Sequence, residues 1–402
     1  MKKIFSRVVI TLSLVSLFTD IASEMLYPVM PIYLKSIGFT ALLIGILEGI
    51  AEATAGLSKG YFGELSDRIG KRVIFIRWGY LLSALSKPAM AISKWPVWIF
   101  LARTSDRLGK GLRTSARDAL LSDESTPETR GKVFGFHRAM DTLGAAIGPS
   151  IALLLLWLFP GNYVYIFLIT AIPGIAAVSL TLLLKEKKKE NTTATTKNSI
   201  SLLSFLKYWK QSPLNYRHIV VGLIIFTLIN SSDAFLLLKA KEAGASDTMV
   251  IGFYIFYNLA YALLSYPMGW LSDKIGMKKM VLFGITIFTI TYMGFAYASQ
   301  LKVFMMLFGL YSLYAAATEG VIKAWLANNL PKTKTATGIG LYNSLQSIAT
   351  LLASSLAGLI WVEAGSSTIF IISAIGGAIS FIYLFVFTRT KAMAQDKMQS
   401  AN

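Results

Sequence analysis

Cysteine is absent from the 402 residues, and histidine occurs only twice. The first absence excludes disulfides, thiolate metal sites and redox dithiols. The second leaves too few imidazoles for a histidine metal centre, so no metal or cofactor is expected. Charge is scarce as well. Asp, Glu, Lys and Arg make up 15% of the chain, against about 25% in an ordinary soluble domain. Hydrophobic residues make up 54%, and they come in blocks of roughly 20, the length that crosses a bilayer. Lipid is the expected main solvent.

Acidic residues are the scarcer sign: 21 Asp and Glu stand against 39 Lys and Arg, a net charge of +18. In a soluble chain that excess would suggest nucleic acid. Here the placement of the cations matters more than their number, and no nucleic-acid partner is expected. The block Met1 to Arg7 is short and basic. The apolar run behind it is too long for a signal-peptide core and lacks a small-residue cleavage site, so it reads as a retained first helix. Twelve spans follow, at about 8–35, 40–62, 73–93, 96–119, 132–158, 162–184, 217–241, 248–271, 279–299, 302–327, 335–362 and 366–388. Lys2, Lys3, Arg7, Arg68, Lys71, Arg72, Arg130, Lys132, Lys185, Lys187, Lys188, Lys189, Lys274, Lys278, Lys279, Arg389 and Lys391 all fall on one side. The other side carries only scattered cations such as Lys35, Lys94 and Lys302. By the positive-inside rule both ends are cytoplasmic. The one long connection, 185–216, passes through a charged run and a polar tract into ISLLSFLKYWKQ, whose apolar spacing predicts an amphipathic helix on the membrane face. It separates a six-helix bundle at 1–184 from a second at 217–388, with a cytoplasmic tail at 389–402.

The halves repeat. Gly63-Glu-Leu-Ser-Asp67-Arg68-Ile-Gly70-Lys71-Arg72 follows the second span, and Gly269-Trp-Leu-Ser-Asp273-Lys274-Ile-Gly276-Met277-Lys278 follows the eighth, 206 residues later. KVFGFHRAMD at 132–141 lines up with TGIGLYNSLQ at 337–346, at an offset of 205. Parallel six-span repeats, related by an axis along the membrane normal, are the build in which transport runs by rocking one half against the other.

The segment 63–72 resembles the signature loop of the major facilitator superfamily, and 269–278 its weaker second copy. The resemblance implies an all-α membrane protein of twelve transmembrane helices, in two six-helix bundles related by a pseudo-twofold axis. It also implies a monomeric transporter of a small solute, not an enzyme, with gating assigned to Gly63, Asp67, Arg68, Gly70, Lys71, Arg72, Asp273 and Lys274. In that family the Asp caps a neighbouring helix end, and the cations pair with acids of the facing bundle. Two further stretches resemble its bacterial drug:proton antiporter branch: Leu26-Tyr27-Pro28-Val-Met-Pro31 and Gly144-Ala-Ala-Ile-Gly148-Pro149. The glycine pair usual after the second motif is replaced by Ser150 and Ile151.

The fourth span carries Arg103, Asp106, Arg107, Lys110, Arg113, Arg117 and Asp118. At helical spacing the cations and Asp106 share an arc of roughly 120°. Each such charge costs about 2.5–3.5 kcal/mol at mid-bilayer, so the face must meet a wet cavity or acidic partners. Two readings stay open. Either the stripe pairs with Asp20, Glu24, Glu48 and Glu52 to hold helices in register, or Arg103, Arg107 and Lys110 bind an anionic solute, with His137, Arg138 and Asp141 extending the polar surface. Asp20 and Glu24 are the first candidates for proton coupling, with Asp233 and Glu319 behind them. Tyr257, in a stripe with Tyr254, Tyr261 and Asn258, and Asn343 with Gln346 are further candidates to line a substrate cavity. The expected function is proton-coupled export of an amphipathic or anionic compound across a bacterial inner membrane. Import of an organic anion and a non-transporting receptor of the same fold are the alternatives.

Overall fold

The computed structural model describes residues 5–27, 29–186, 201–230 and 232–388. Lys2, Lys3, Pro28, Lys187, Lys188, Lys189, the polar tract, Arg389 and Lys391 lie outside them. Every long element among the described residues is helical. The helices are α1 (Arg7–Leu26), α2 (Met30–Ser36), α3 (Ala41–Ile69), α4 (Val73–Ala89), α5 (Pro96–Asp123), α6 (Arg130–Leu158), α7 (Tyr163–Ile169) and α8 (Ala171–Thr181). They continue with α9 (Tyr208–Gln211), α10 (Leu214–Ile229), α11 (Asp233–Glu242), α12 (Asp247–Ile275), α13 (Met277–Tyr297), α14 (Leu301–Asn328), α15 (Thr335–Ala364) and α16 (Ser366–Phe387). Setting aside the single turn α9 and taking α1 with α2, α7 with α8 and α10 with α11 gives twelve segments at the places where the apolar blocks lie.

Nine of these segments are long and apolar enough to cross a membrane by length and composition alone. The other three are α3, α4 and α5. Here α4 has only 17 residues, while α3 and α5 carry the acids and cations expected to face away from lipid. Large apolar side chains such as Leu263, Val362 and Trp157 stand exposed, which suits acyl chains and not water.

Three spans are interrupted where the backbone turns to local polar partners. Thr170 donates its hydroxyl to the Phe167 carbonyl between α7 and α8. Between α10 and α11 the backbone of Asn230 is extended, and Ser232 caps α11 by accepting from the Ala234 amide. α2 opens with a proline in its first turn, where the missing amide costs nothing.

The chain forms two compact units. The first comprises residues 1–126, 136–210 and 331–348, the second 127–135, 211–330 and 349–402. The first turns of α6 and α15 therefore belong to the unit otherwise built from the other part of the chain. The first unit packs around Met25, Tyr33, Leu47, Met90, Ile99 and Phe167. The second is aromatic: Phe295 meets Phe304, Phe308 and Phe370 at centroid distances of 5.6, 5.4 and 5.8 Å.

The connection around 201–211 departs from the expected amphipathic helix. Its described residues make a 3-10 turn, Ser204–Lys207, followed by the single turn α9. Phe205 and Tyr208 are buried. A Cβ on Gly60 would lie 2.5 Å from the Phe205 ring, so that ring fills the notch the glycine leaves on α3. Ser204 also hydrogen-bonds the Glu64 carboxylate. These contacts dock the connection on α3.

Candidate functional site

The repeated loops act on helix N-termini. Gly63 brings α3 against the start of α15, where a Cβ would lie 2.5 Å from the Ala336 carbonyl oxygen. One turn on, Asp67 Oδ2 accepts from the backbone amide and the hydroxyl of Thr337, both at 2.6 Å. The free amides of a first turn and the helix dipole both favour a carboxylate there. Asp67 Oδ1 meets Arg72 at 2.5 Å, and Arg72 reaches Asp123 at 3.8 Å. Gly70 ends α3 in the left-handed region, φ 70°, which lets the Ser66 hydroxyl reach the Lys71 carbonyl at 2.7 Å. In the second copy, Asp273 accepts from the amides of Gly131 and Lys132 at 2.7 and 2.9 Å, at the start of α6. Lys274 lies 3.7 Å from the centre of the Trp270 ring.

The loop cations differ from the pairing the resemblance implies. Arg68 bonds Glu64 on its own helix at 2.6 Å, and Arg72 bonds Asp67 of its own loop. A guanidinium one turn from a carboxylate on the same helix finds it first. A third carboxylate, not expected from the sequence, uses the same chemistry: Glu186 accepts from the amides of Arg72 and Val73 at 2.6 and 2.8 Å, at the start of α4. In the sequence it is a lone acid in a charged run, which gives no signal of capping. Tyr208 lies near the Asp67 carboxylate, and burial pushes its hydroxyl up to about 12.

In the first unit the charged face of α5 meets α1, α3 and α4. Arg103 holds Glu48 with two hydrogen bonds, at 2.8 and 2.9 Å. Arg107 Nε lies 3.2 Å from Glu52. Asp106 takes Lys87 of α4 at 2.7 Å and the Ser83 hydroxyl. Lys87 is buried to 2% exposure, and the sequence reading missed it because one cation in an apolar run looks like a helix-end residue. Arg113 lies 4.4 Å from the centre of the Tyr80 ring, and Arg117 bonds Asp118 and Ser16. Lys110 differs from these. It is exposed and makes no ion pair within 4 Å with a described residue. Asp20, Ser23, Glu24, Tyr27, Arg103, Asp106, Arg107, Lys110 and Arg113 line a space of about 450 Å³, part of it open solvent.

The sequence candidates are therefore brought together only in part. Asp20, Glu24, Arg103, Arg107 and Lys110 share this cavity. Arg138 bonds Asp141 at 2.9 Å, and His137 lies 3.5 Å from Ser13, on the neighbouring face of α6. Asn343 is buried in the 331–348 segment of the first unit, and its amide nitrogen has no hydrogen-bond partner among the described residues. Asp233, Glu319 and Tyr257 belong to the second unit. There Tyr311 donates to Asp233 at 2.6 Å, Asn230 links Tyr292 and Tyr314 at 3.1 and 3.0 Å, and Tyr257 packs on Tyr311 at 5.1 Å. Glu319 lies beside Tyr314.

The Major Facilitator Superfamily profile matches residues 12–257 and 234–401. An uncharacterised MFS-type transporter of Methanocaldococcus jannaschii is 33% identical over 362 residues, 89% of each chain. The multidrug resistance protein MdtH of Baumannia cicadellinicola is 24% identical over 76% of this chain and 73% of its own. The quinolone resistance protein NorA of Staphylococcus aureus is 28% identical over 31% of this chain and 32% of its own. Among solved structures, the human organic anion transporter MFSD10 superposes with a TM-score of 0.78 at 17% identity, covering 94% of this chain and 99% of that one. The Escherichia coli fucose:proton symporter FucP gives 0.76 at 14% identity, covering 95% and 98%. The chain belongs to the major facilitator superfamily and is a multi-pass membrane transporter, not an enzyme.

Proposed function

We propose that this transporter is proton-coupled and exports an amphipathic or anionic compound by alternating access. The observation that carries the reading is the cavity of the first unit, where Lys110 shares a wall with Asp20 and Glu24. An acid beside a mobile cation changes its proton affinity when the cation finds another partner. That is the minimum a coupled carrier needs. The names of MdtH and NorA support drug-like cargo. Asp67 and Asp273 are the proposed gating carboxylates, the working form is a monomer, and the membrane is the cytoplasmic one with both termini inside.

Arg103 and Arg107 already hold Glu48 and Glu52, which assigns them to bracing the cavity wall and leaves Lys110 to meet an anion. That favours a second reading, import of an organic anion with a proton. Protonating Asp20 frees Lys110 for the anion, so the two would bind together. Purified protein in liposomes separates the readings, with a quinolone and succinate as probes. Export by antiport predicts quinolone accumulation in vesicles that are acidic inside. Symport predicts succinate accumulation in vesicles placed in an acidic bath. Movement of both probes that ignores the gradient overturns proton coupling.

A further inference from the structure

A residue outside the cavity wall completes the proton site. Asp141 on α6 has its Oδ1 against the Ser16 hydroxyl of α1, its Oδ2 2.9 Å from Arg138, and Arg117 at 4.0 Å. One turn along α1 from Ser16, the Asp20 carboxyl faces Asp141 at hydrogen-bonding range. This approach is built into the helices. A Cβ on Gly144 would lie 2.6 Å from the Leu17 carbonyl oxygen and 3.0 Å from the Asp20 Cβ, and one on Gly148 2.7 Å from the Ile21 carbonyl oxygen. The small-residue face of α6 therefore presses α1 close enough for the two carboxyl groups to meet.

We infer that Asp20 and Asp141 hold one proton between them and act as a pair, with Asp141 as the positioning residue and Asp20 as the group that exchanges with the cavity. Two carboxylates in contact repel when both are ionised, which favours keeping one proton between them. The surroundings decide which oxygen carries it. Asp141 has Arg138, Arg117, His137 and the Ser16 hydroxyl around it, all of which suit the ionised form. Asp20 has Glu24 beside it, and Lys110 opposes that charge from across the cavity. The proton therefore sits on an Asp20 oxygen and is donated to Asp141. Lys110, on α5 across the cavity, is the cation positioned to take the Asp20 carboxylate once that proton leaves. Such a pair titrates as a unit, with apparent values that belong to neither residue alone.

The inference rests on the proton-coupled reading, but its test needs no transport and no substrate. Infrared difference spectra of the purified full chain, taken across a pH series, show the carbonyl stretch of a protonated carboxylic acid. The wild type is expected to show that band near neutral pH, and Asp20→Asn to lose it. Asp141→Asn removes the like charge and is expected to move the band's midpoint down by about one pH unit or more. Asp141→Glu is expected to restore it. If Asp141→Asn does not fold, Ser16→Ala serves in its place. It strips a hydrogen bond from the Asp141 carboxylate, disfavours the doubly ionised pair and moves the midpoint up. A residue that merely braced α6 would change melting temperature and leave the midpoint in place. An Asp20 band absent from the wild type, or a midpoint unmoved in both Asp141→Asn and Ser16→Ala, overturns the inference. Active proton-coupled transport combined with an unmoved midpoint would reject the pair and leave the transport reading standing.

Discussion

At the scale of single residues, the structure turns on carboxylates that find helix N-termini. Asp67 is nearly inaccessible and serves both Thr337 and Arg72. Asp67→Asn keeps an acceptor for the Thr337 amide but loses the charge that holds Arg72. A charge-assisted hydrogen bond is worth about 1.5–3 kcal/mol, so transport is expected to fall steeply while Asp123, 3.8 Å from Arg72, limits the loss of stability. Uptake assays in cells, normalised to membrane expression, check this; normal uptake removes the gating role. Gly63→Ala tests the same contact through shape. Its new methyl would meet the Ala336 carbonyl at 2.5 Å, and overpacking of this kind costs about 1–3 kcal/mol. A lower melting temperature is the expected result, and an unchanged one would mean that α15 moves aside freely. Asp67 was legible in the sequence because its loop occurs twice at one offset. Glu186 was not. Its position carries no repeated pattern, and its partner Arg72 lies 114 positions away in the chain.

At the scale of elements, α5 shows why a charge stripe can be recognised before its use is known. Helical spacing alone placed Arg103, Asp106, Arg107 and Lys110 on one face, and the costs of charge in lipid turned that face inward. Spacing within one helix does not say which acid on a neighbour each cation meets. The pairing depends on how α3 and α4 lie against α5, and there Gly79 and Gly109 approach so closely that a Cβ on Gly109 would lie 2.6 Å from the Gly79 carbonyl oxygen. The span interruptions were hidden for a related reason, since Thr170 and Asn230 look unexceptional in apolar runs until their local partners are known. The two roles proposed for the stripe have separate outcomes. Arg103→Gln leaves Glu48 without its fork, and because Glu48 is a third exposed the loss is about 1–3 kcal/mol of stability. Lys110→Gln disturbs no ion pair and is expected to leave melting unchanged, while weakening an anionic ligand roughly ten- to hundredfold. Thermal melts of both variants, with and without succinate, tell the roles apart. An early melt in Lys110→Gln, or succinate stabilising both variants as it does the wild type, would contradict the division.

At the scale of the whole molecule, the repeat predicts that two separate clasps act in one motion. Asp67 holds the start of α15 and Asp273 the start of α6, and they share no residue. The absence of native cysteine makes the motion measurable with one introduced thiol. Ser344 is buried and donates to the Gly56 carbonyl at 2.6 Å, so Ser344→Cys places a thiol that reagents reach only when α15 leaves α3. Asp67→Asn, which weakens the contact beside it, is expected to speed labelling about tenfold or more, because each 1.4 kcal/mol lost multiplies the open population by ten. The stronger prediction concerns Asp273→Asn. That residue holds the amides of Gly131 and Lys132 at the start of α6. If alternating access opens both clasps together, loosening the second raises the population in which the first is open, and labelling at position 344 speeds up as well. Since the two contacts share no partner, their effects on that population should multiply in the double variant. If the clasps opened independently, Asp273→Asn would leave labelling at 344 at its wild-type rate while speeding it at a thiol placed by Ser272→Cys. That outcome would assign the repeated loops to local bracing and take the concerted motion away from them.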